Sequence, residues 1–515
     1  MAHRAQPVTL WPGLVAAALV AATLLAALAA VALRAETEAG LAAQDGAAIR
    51  FTVLQAALSA LFSVALAIPV ARALARRSFP GRGLLITLLG APFILPVIVA
   101  VLGLLAVFGR GGWLNDLLTL AGLPPVSVYG LHGVVLAHVF FNLPLATRLI
   151  LQGWQDIPAE RFRLAAQLGA DTRDIWRLLE RPMLARTAPG VAALVFAICL
   201  TSFAVALTLG GGPRATTIEL AIYQAFRFEF DLGRATLLSL VQIALTLAAA
   251  TLALGVSAQG GFGAGLDRVV QRWDARTPGL KMLDTALILT AALFLLTPLA
   301  AIAANGLPGL IQLPHQVWSA ALVSVCVAAL STAVLLALAL PMAIAAARAP
   351  AIEHIGLLGL AVSPLVLGAG LFLLINPVAS PFALALPVTA LVNALMSLPF
   401  ALRILVPKAR EEVQRHTRLA ATLNMTSASF LRLVLLPRMR PQIGFAAGLG
   451  AALSMGDLGV IALFADPETA TLPLQIYRLM AAYRMEAAAG AALLLLILSV
   501  AAFWLCDRGG RHASP

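Results

Sequence analysis

The side chains able to do chemistry in this sequence are few and far apart. Asp457 is an acidic group set inside the apolar run G-L-G-A-A-L-S-M-G-D-L-G-V-I-A-L-F. An ionisable group in such a run is costly in lipid, so it faces a pathway or a partner. Two readings stand: Asp457 lines a route for a cation, or it caps or hydrogen-bonds a neighbouring helix. His138 is a polar position in the middle of another apolar run, with Asn142 one turn later. There, either interhelical hydrogen bonding or substrate contact fits. Cys199, Cys326 and Cys506 are too far apart to suggest a disulfide framework or a metal site, and read as small hydrophobes. The seven histidines are scattered, whereas an embedded enzyme would need a clustered nucleophile, histidine or metal constellation. No G-x-x-x-x-G-K-[ST] phosphate loop occurs, and Lys281 and Lys408 are the two lysines. The chemistry expected is transport, with no ATP hydrolysis, cofactor or metal on this chain.

The elements holding these residues must be membrane helices. Of 515 residues, 61% are apolar and 11% charged, against about 25% charged in a soluble domain. The apolar residues fall in blocks of about 20, the length that crosses a bilayer as a helix. The pattern predicts an all-α polytopic membrane protein with about 12 spans. They lie near 10–33, 51–75, 84–108, 131–152, 189–211, 233–256, 282–306, 317–347, 356–376, 383–405, 444–464 and 485–506. The first block is too long for a signal peptide and is expected to be retained. With these spans, about 27 of the 35 Lys and Arg fall on one side. Both termini are therefore expected in the cytoplasm. The net charge of +12 reports topology and not a nucleic-acid partner.

The chain reads as two copies of one unit. A-H-V-F-F-N-L-P-L-A-T-R from Ala137 matches V-N-A-L-M-S-L-P-F-A-L-R from Val392 at an offset of 255. The same offset pairs His138 with Asn393, Gly169 with Asn424 and Pro182 with Pro437, while Ile222-Tyr223 matches Ile476-Tyr477 at 254. An offset of 254 also sets Phe203 opposite Asp457. The expected division is 1–256, a cytoplasmic linker 257–281 with a solvated charge run, and 282–515. Parallel repeats of this kind predict a pseudo-two-fold axis along the membrane normal with a substrate path between the halves. His138, Asn142, Phe203, Asn393 and Asp457 are the candidate pathway residues. Asn142 before Leu143-Pro144, and Ser397 before Leu398-Pro399, mark kinks that could hinge a gate.

Two basic-side loops, 153–188 and 406–443, are far longer than the others and occupy equivalent places. Each predicts a helix, a corner and a second helix. Leu164, Ala165 and Ala166, like Leu419, Ala420 and Ala421, give a small-residue face. Gly169 and Asn424 suit a left-handed corner. Asp171 and Thr426 follow as N-caps, and Pro182 and Pro437 are expected to stop the second helix.

These loops resemble the coupling loop of ABC importer permeases, whose pattern is Glu-Ala-Ala, three residues, Gly and a closing Pro. Arg163 and Arg418 stand at the Glu place, a departure that bears on any particular ion pair with the partner. The resemblance implies two tandem six-helix type I permease halves. It also implies a homodimeric ATP-binding subunit that holds ATP and Mg2+ and receives both loops. The fused arrangement, with I-L-P-V-I-V-A-V-L-G near Ile94 and L-G-G-G-P-R-A-T-T-I-E-L-A-I-Y-Q-A near Leu209, looks like the thiamine permeases. That implies a periplasmic thiamine-binding protein and import of thiamine and its phosphate esters, with Phe203 and Asp457 suited to an aromatic cation. A ferric-iron importer is the alternative within the class. A proton-coupled secondary transporter would want several intramembrane carboxylates, where Asp457 is the one this reading finds.

Overall fold

A computed structural model describes residues 9–34, 41–89, 95–210, 212, 215–256, 272–273, 277–464 and 470–511. Among them every regular element is helical. Ile94, Gly211, Pro213, Arg214 and most of the 257–281 linker lie outside the described residues.

Ten helices among the described residues are long and apolar enough to cross a membrane. Two of the twelve expected spans are not among these ten, because they are broken. The region 356–376 divides into a short helix Ala351–Leu357, a 3-10 turn and the helix Pro364–Ile375. The region 444–464 divides into Leu436–Met455 and Gly459–Phe464. The second break has its counterpart in the helix Arg181–Leu200, which stops before Ala204–Leu209, again 255 residues earlier.

A break inside an apolar bundle frees carbonyls that lipid cannot satisfy. Gln55 donates to the Cys199 carbonyl at 2.8 Å and Gln242 to the Leu200 carbonyl at 3.0 Å. The next helices along, Ile218–Gln224 and Leu472–Ala481, are started the same way in both repeats. Thr52 Oγ accepts from the Ile218 N–H at 2.9 Å, and Ser324 Oγ from the Leu472 N–H at 2.7 Å.

The first helix of each repeat packs away from its own sequence neighbours. Trp11–Arg34 lies against His315–Ala346 and Pro364–Ile375, while Pro278–Ile311 lies against Val97–Phe108 and Ala43–Arg76 as well as against Met485–Arg511, the last helix of its own repeat. Two glycines permit these crossings. A Cβ at Gly370 would stand 2.3 Å from the Ala27 carbonyl oxygen, and one at Gly103 would stand 2.7 Å from that of Pro298. With little hydrophobic force between helices in lipid, such close backbone approach is a main source of packing energy.

Candidate functional site

The two long loops fold as matching hairpins. The helix Ala159–Gln167 turns at Gly169 with φ +71°, and the long helix Ala385–Thr422 turns at Asn424 with φ +50°. At each corner a backbone bond closes the helix end: Ala170 N–H to Ala165 at 3.0 Å, Met425 N–H to Ala420 at 2.9 Å. Asp171 then accepts from the N–H groups of Arg173 and Asp174, both at 2.8 Å, and Thr426 accepts from that of Ser429 at 3.2 Å.

Pro182 and Pro437 do not end the second helices. Each chain passes through one π turn, Trp176–Glu180 or Leu431–Leu435, into the helices Arg181–Leu200 and Leu436–Met455. A proline has no N–H to donate and its ring clashes with the carbonyl four residues back. The wider turn before it relieves both problems, and each proline sits at the start of the next helix.

On each hairpin three leucines stand out to solvent, and the same three positions do so in both. Leu164, Leu168 and Leu178 pair with Leu419, Leu423 and Leu433, all between 54% and 76% exposed. Ile175 and Phe430 are buried beneath them. Arg163 is exposed and pairs loosely with Glu160 at 3.8 Å; Arg418 is exposed as well. Ala165 and Ala166 are half-buried, Ala420 is buried and Ala421 exposed. A repeated apolar patch at the tip of a basic loop is a surface built for a partner.

The candidate pathway residues gather at the two helix breaks. His138 is held between Ser59 Oγ at 3.2 Å and Ser202 Oγ at 2.7 Å. Asn142 donates to the His138 carbonyl at 2.9 Å. In the second repeat Asn393 donates to Ser454 Oγ at 3.1 Å and also reaches the Asp457 carboxylate. The helix breaks align at 255, so Ser202 and not Phe203 is the counterpart of Asp457. The pairs are His138 with Ser202 and Asn393 with Asp457.

Asp457 Oδ1 accepts from the Gly459 N–H at 3.2 Å at the start of the helix Gly459–Phe464, while its Oδ2 is buried without a well-placed donor. A Cβ at Gly459 would lie 3.6 Å from Phe203 Cδ1 and 3.8 Å from Asp457 Oδ1. An aromatic ring from one repeat and a carboxylate from the other therefore flank one glycine. Phe203 in turn packs edge-on against Tyr223, ring centres 5.2 Å apart.

No family model matches the chain. Among curated proteins, the thiamine transport system permease protein ThiP of Salmonella typhimurium is 40% identical over 536 residues, covering 100% of this chain and 99% of its own. That of Escherichia coli is 40% identical over 532 residues, covering 99% and 98%. That of Brucella abortus is 40% identical over 470 residues, covering 89% and 87%. The chain belongs to the family of thiamine transport permease proteins. It is a transport permease and an all-α, multi-pass membrane protein.

Within this permease, sequence reasoning missed several buried acids, Glu219 and Glu180 among them. Glu219 is 1% exposed, shares a hydrogen bond with Ser363 from the second repeat, and leaves Oε1 unpartnered. Asp457 is thus not the one carboxylate within the bundle. The signal was present in T-T-I-E-L-A-I-Y, an acid in a short apolar run. Glu180, at the end of the first π turn, is buried against Arg272 at 2.5 Å and Arg72 at 2.6 Å. The linker charge run, expected to be solvated, thus sends one arginine into the protein. Arg272 has a partner too distant in sequence to find by local reading.

Proposed function

We propose that this chain is the membrane subunit of an ATP-driven importer that carries thiamine, and its phosphate esters, from periplasm to cytoplasm. In this reading 1–256 and 282–515 are tandem permease halves joined by 257–281. Both termini and both hairpins face the cytoplasm of a bacterial inner membrane. A homodimeric ATP-binding subunit, which alone holds ATP and Mg2+, docks one hairpin per monomer. A periplasmic thiamine-binding protein delivers the cargo. The observation that carries the reading is the duplication of the hairpin: same corner, same caps, same three exposed leucines, 255 residues apart. A two-fold partner demands such a pair.

The cargo assignment is supported by what the relatives of full length are named for, and the ferric-iron alternative draws no support from them. The site offers chemistry suited to it. Asp457 Oδ2 is buried without a well-placed donor, and a carboxylate kept within an apolar bundle suits a cation. Phe203 nearby supplies a ring on which a heteroaromatic cation can rest.

Uptake of labelled thiamine at limiting concentration tests the whole reading. A strain lacking the gene should lose uptake, and the wild-type chain should restore it. Ala165→Glu with Ala420→Glu should abolish both uptake and co-purification of the ATPase. Unaltered uptake in the deletion strain removes the thiamine assignment; ATPase association surviving both substitutions removes the docking assignment.

A further inference from the structure

We propose that Arg272, contributed by the linker, is the residue that positions the first hairpin, so that the two hairpins are mechanically unequal. The inference rests on reading the hairpins as docking elements for an ATPase.

Arg272 makes two direct attachments from one buried side chain. Its Nη1 lies 2.5 Å from Glu180 Oε1, with the two side chains 2% and 0% exposed. Its guanidinium stands over the ring of Phe162, 4.9 Å from the centroid, and Phe162 lies on the first hairpin's leading helix. Through Glu180 it is joined to Arg72 at 2.6 Å and to the indole N–H of Trp154 at 3.2 Å, on two different membrane helices. A fork-shaped cation can hold a carboxylate at its edge and a ring on its face at once, which an ammonium cannot. Arg77 and Arg76 extend the network to Asp284 at 2.7 and 3.6 Å, at the foot of the helix Pro278–Ile311. The linker is thereby fastened to the hairpin helix, the π turn and the bundle at one point. Trp273 beside it borders the cleft lined by Arg163, Ala166 and Gly169.

The receptor for Arg272 exists in the first repeat alone. At an offset of 255, Trp154, Phe162 and Glu180 become Ala409, Thr417 and Leu435. The second hairpin carries a different buried acid, Glu412, paired with Lys408 at 2.8 Å, His416 at 3.1 Å and Arg438 at 3.8 Å. Those three partners belong to the same loop, and Arg410 reaches Glu353 on Ala351–Leu357 at 3.5 Å, so the second hairpin is held without the linker and the first with it. A buried ion pair is a poor source of net stability. Its retention here goes with geometry, since it sets where the hairpin stands on the bundle.

The test uses the full chain, alone and assembled with its ATPase. Trypsin cuts within both hairpins, at Arg161–Arg177 and Arg415–Arg432, and mass spectrometry separates the two rates. In Arg272→Met the first hairpin should be cleaved about tenfold faster, as expected for a weakened local opening, with the second unchanged. In the assembled complex, substrate moved per ATP hydrolysed should fall while ATP hydrolysis persists. Arg272→Lys should recover part of both. Glu180→Leu with Arg272→Met, which installs the residue found at 435 and leaves Arg72 at 23% exposure able to reach solvent, should leave a folded chain with an equally loose first hairpin. Equal cleavage in wild type and Arg272→Met, equal acceleration of both hairpins, or unchanged transport per ATP each overturns the proposal. So does failure of the double variant to fold, because the network is then simply structural. If no ATPase associates with wild type, the docking reading fails, while the proteolysis still decides whether Arg272 braces the hairpin.

Discussion

At the scale of single residues, the two carboxylate oxygens of Asp457 sit in different surroundings, and one substitution can separate what each does. Its Oδ1 takes the Gly459 N–H at the head of a short helix, and its Oδ2 is buried with no well-placed donor. Asparagine keeps an acceptor for that N–H and removes the charge. Asp457→Asn should therefore assemble normally yet lower thiamine uptake by about tenfold or more, if a carboxylate at this depth is retained for a cation. Asp457→Leu removes the acceptor too, leaving a helix start unsatisfied at a cost of about 1–3 kcal/mol. It should reduce the amount of assembled protein. Loss of assembly in the asparagine variant would assign Asp457 to capping alone. His138 has both ring nitrogens engaged by serines from other segments, so it fixes Ser202 at the equivalent break. His138→Ala should cut the yield of folded protein, measured by detergent size-exclusion, before it touches substrate affinity.

At the scale of elements, the close approach of the crossing helices turns on glycines, Gly370 and Gly103 among them. At Gly370 and Gly103 a side chain has nowhere to go except into a facing backbone carbonyl. Gly370→Val and Gly103→Val should each destabilise the protein by about 1–3 kcal/mol through overpacking, lowering the thermal midpoint measured in detergent. A midpoint within a degree of wild type would show that the first helices sit loosely. The sequence made some of this architecture legible and hid the rest for identifiable reasons. Gly169 and Asn424 announced a left-handed corner because few residues tolerate positive φ. Asp171 and Thr426 announced their caps through residue type. The breaks after Leu200 and Met455 were hidden, since the apolar run continues across both and the carbonyls freed by the first are satisfied by Gln55 and Gln242 from other helices. Pro182 and Pro437 misled because a π turn lets the helix resume immediately beyond them. Arg272 was illegible in principle: its acid lies 92 residues upstream, and no local pattern reports such a pair.

At the scale of the whole molecule, each repeat lends its first helix to the other. Trp11–Arg34 rests on His315–Ala346 and Pro364–Ile375, and Pro278–Ile311 rests on Val97–Phe108 and Ala43–Arg76 while staying packed on Met485–Arg511 of its own repeat. Two such crossings form a reciprocal clasp, so the covalent connection through 257–281 is not what keeps the repeats together. Arg272 marks a second task for that connection, because it enters the protein from the repeat-two side of the segment 257–271. A protease site inserted between Gly261 and Gly265 separates these roles, since a cut there leaves Arg272 attached to Pro278–Ile311. Cleavage of the folded, purified chain should leave the two pieces co-migrating in mild detergent, with thiamine transport in the reconstituted complex within about twofold of the uncut protein, the fragments being held by packed helices as in two-stage membrane assembly. Moving the site between Trp273 and Thr277 puts the cut on the other side of the arginine. The pieces should still co-migrate, but Arg272 then hangs from the first repeat and no longer ties Glu180 to the Pro278 helix, so transport per ATP should fall. Separation of the pieces after the first cut would show that the clasp alone is too weak and that the tether itself holds the repeats together.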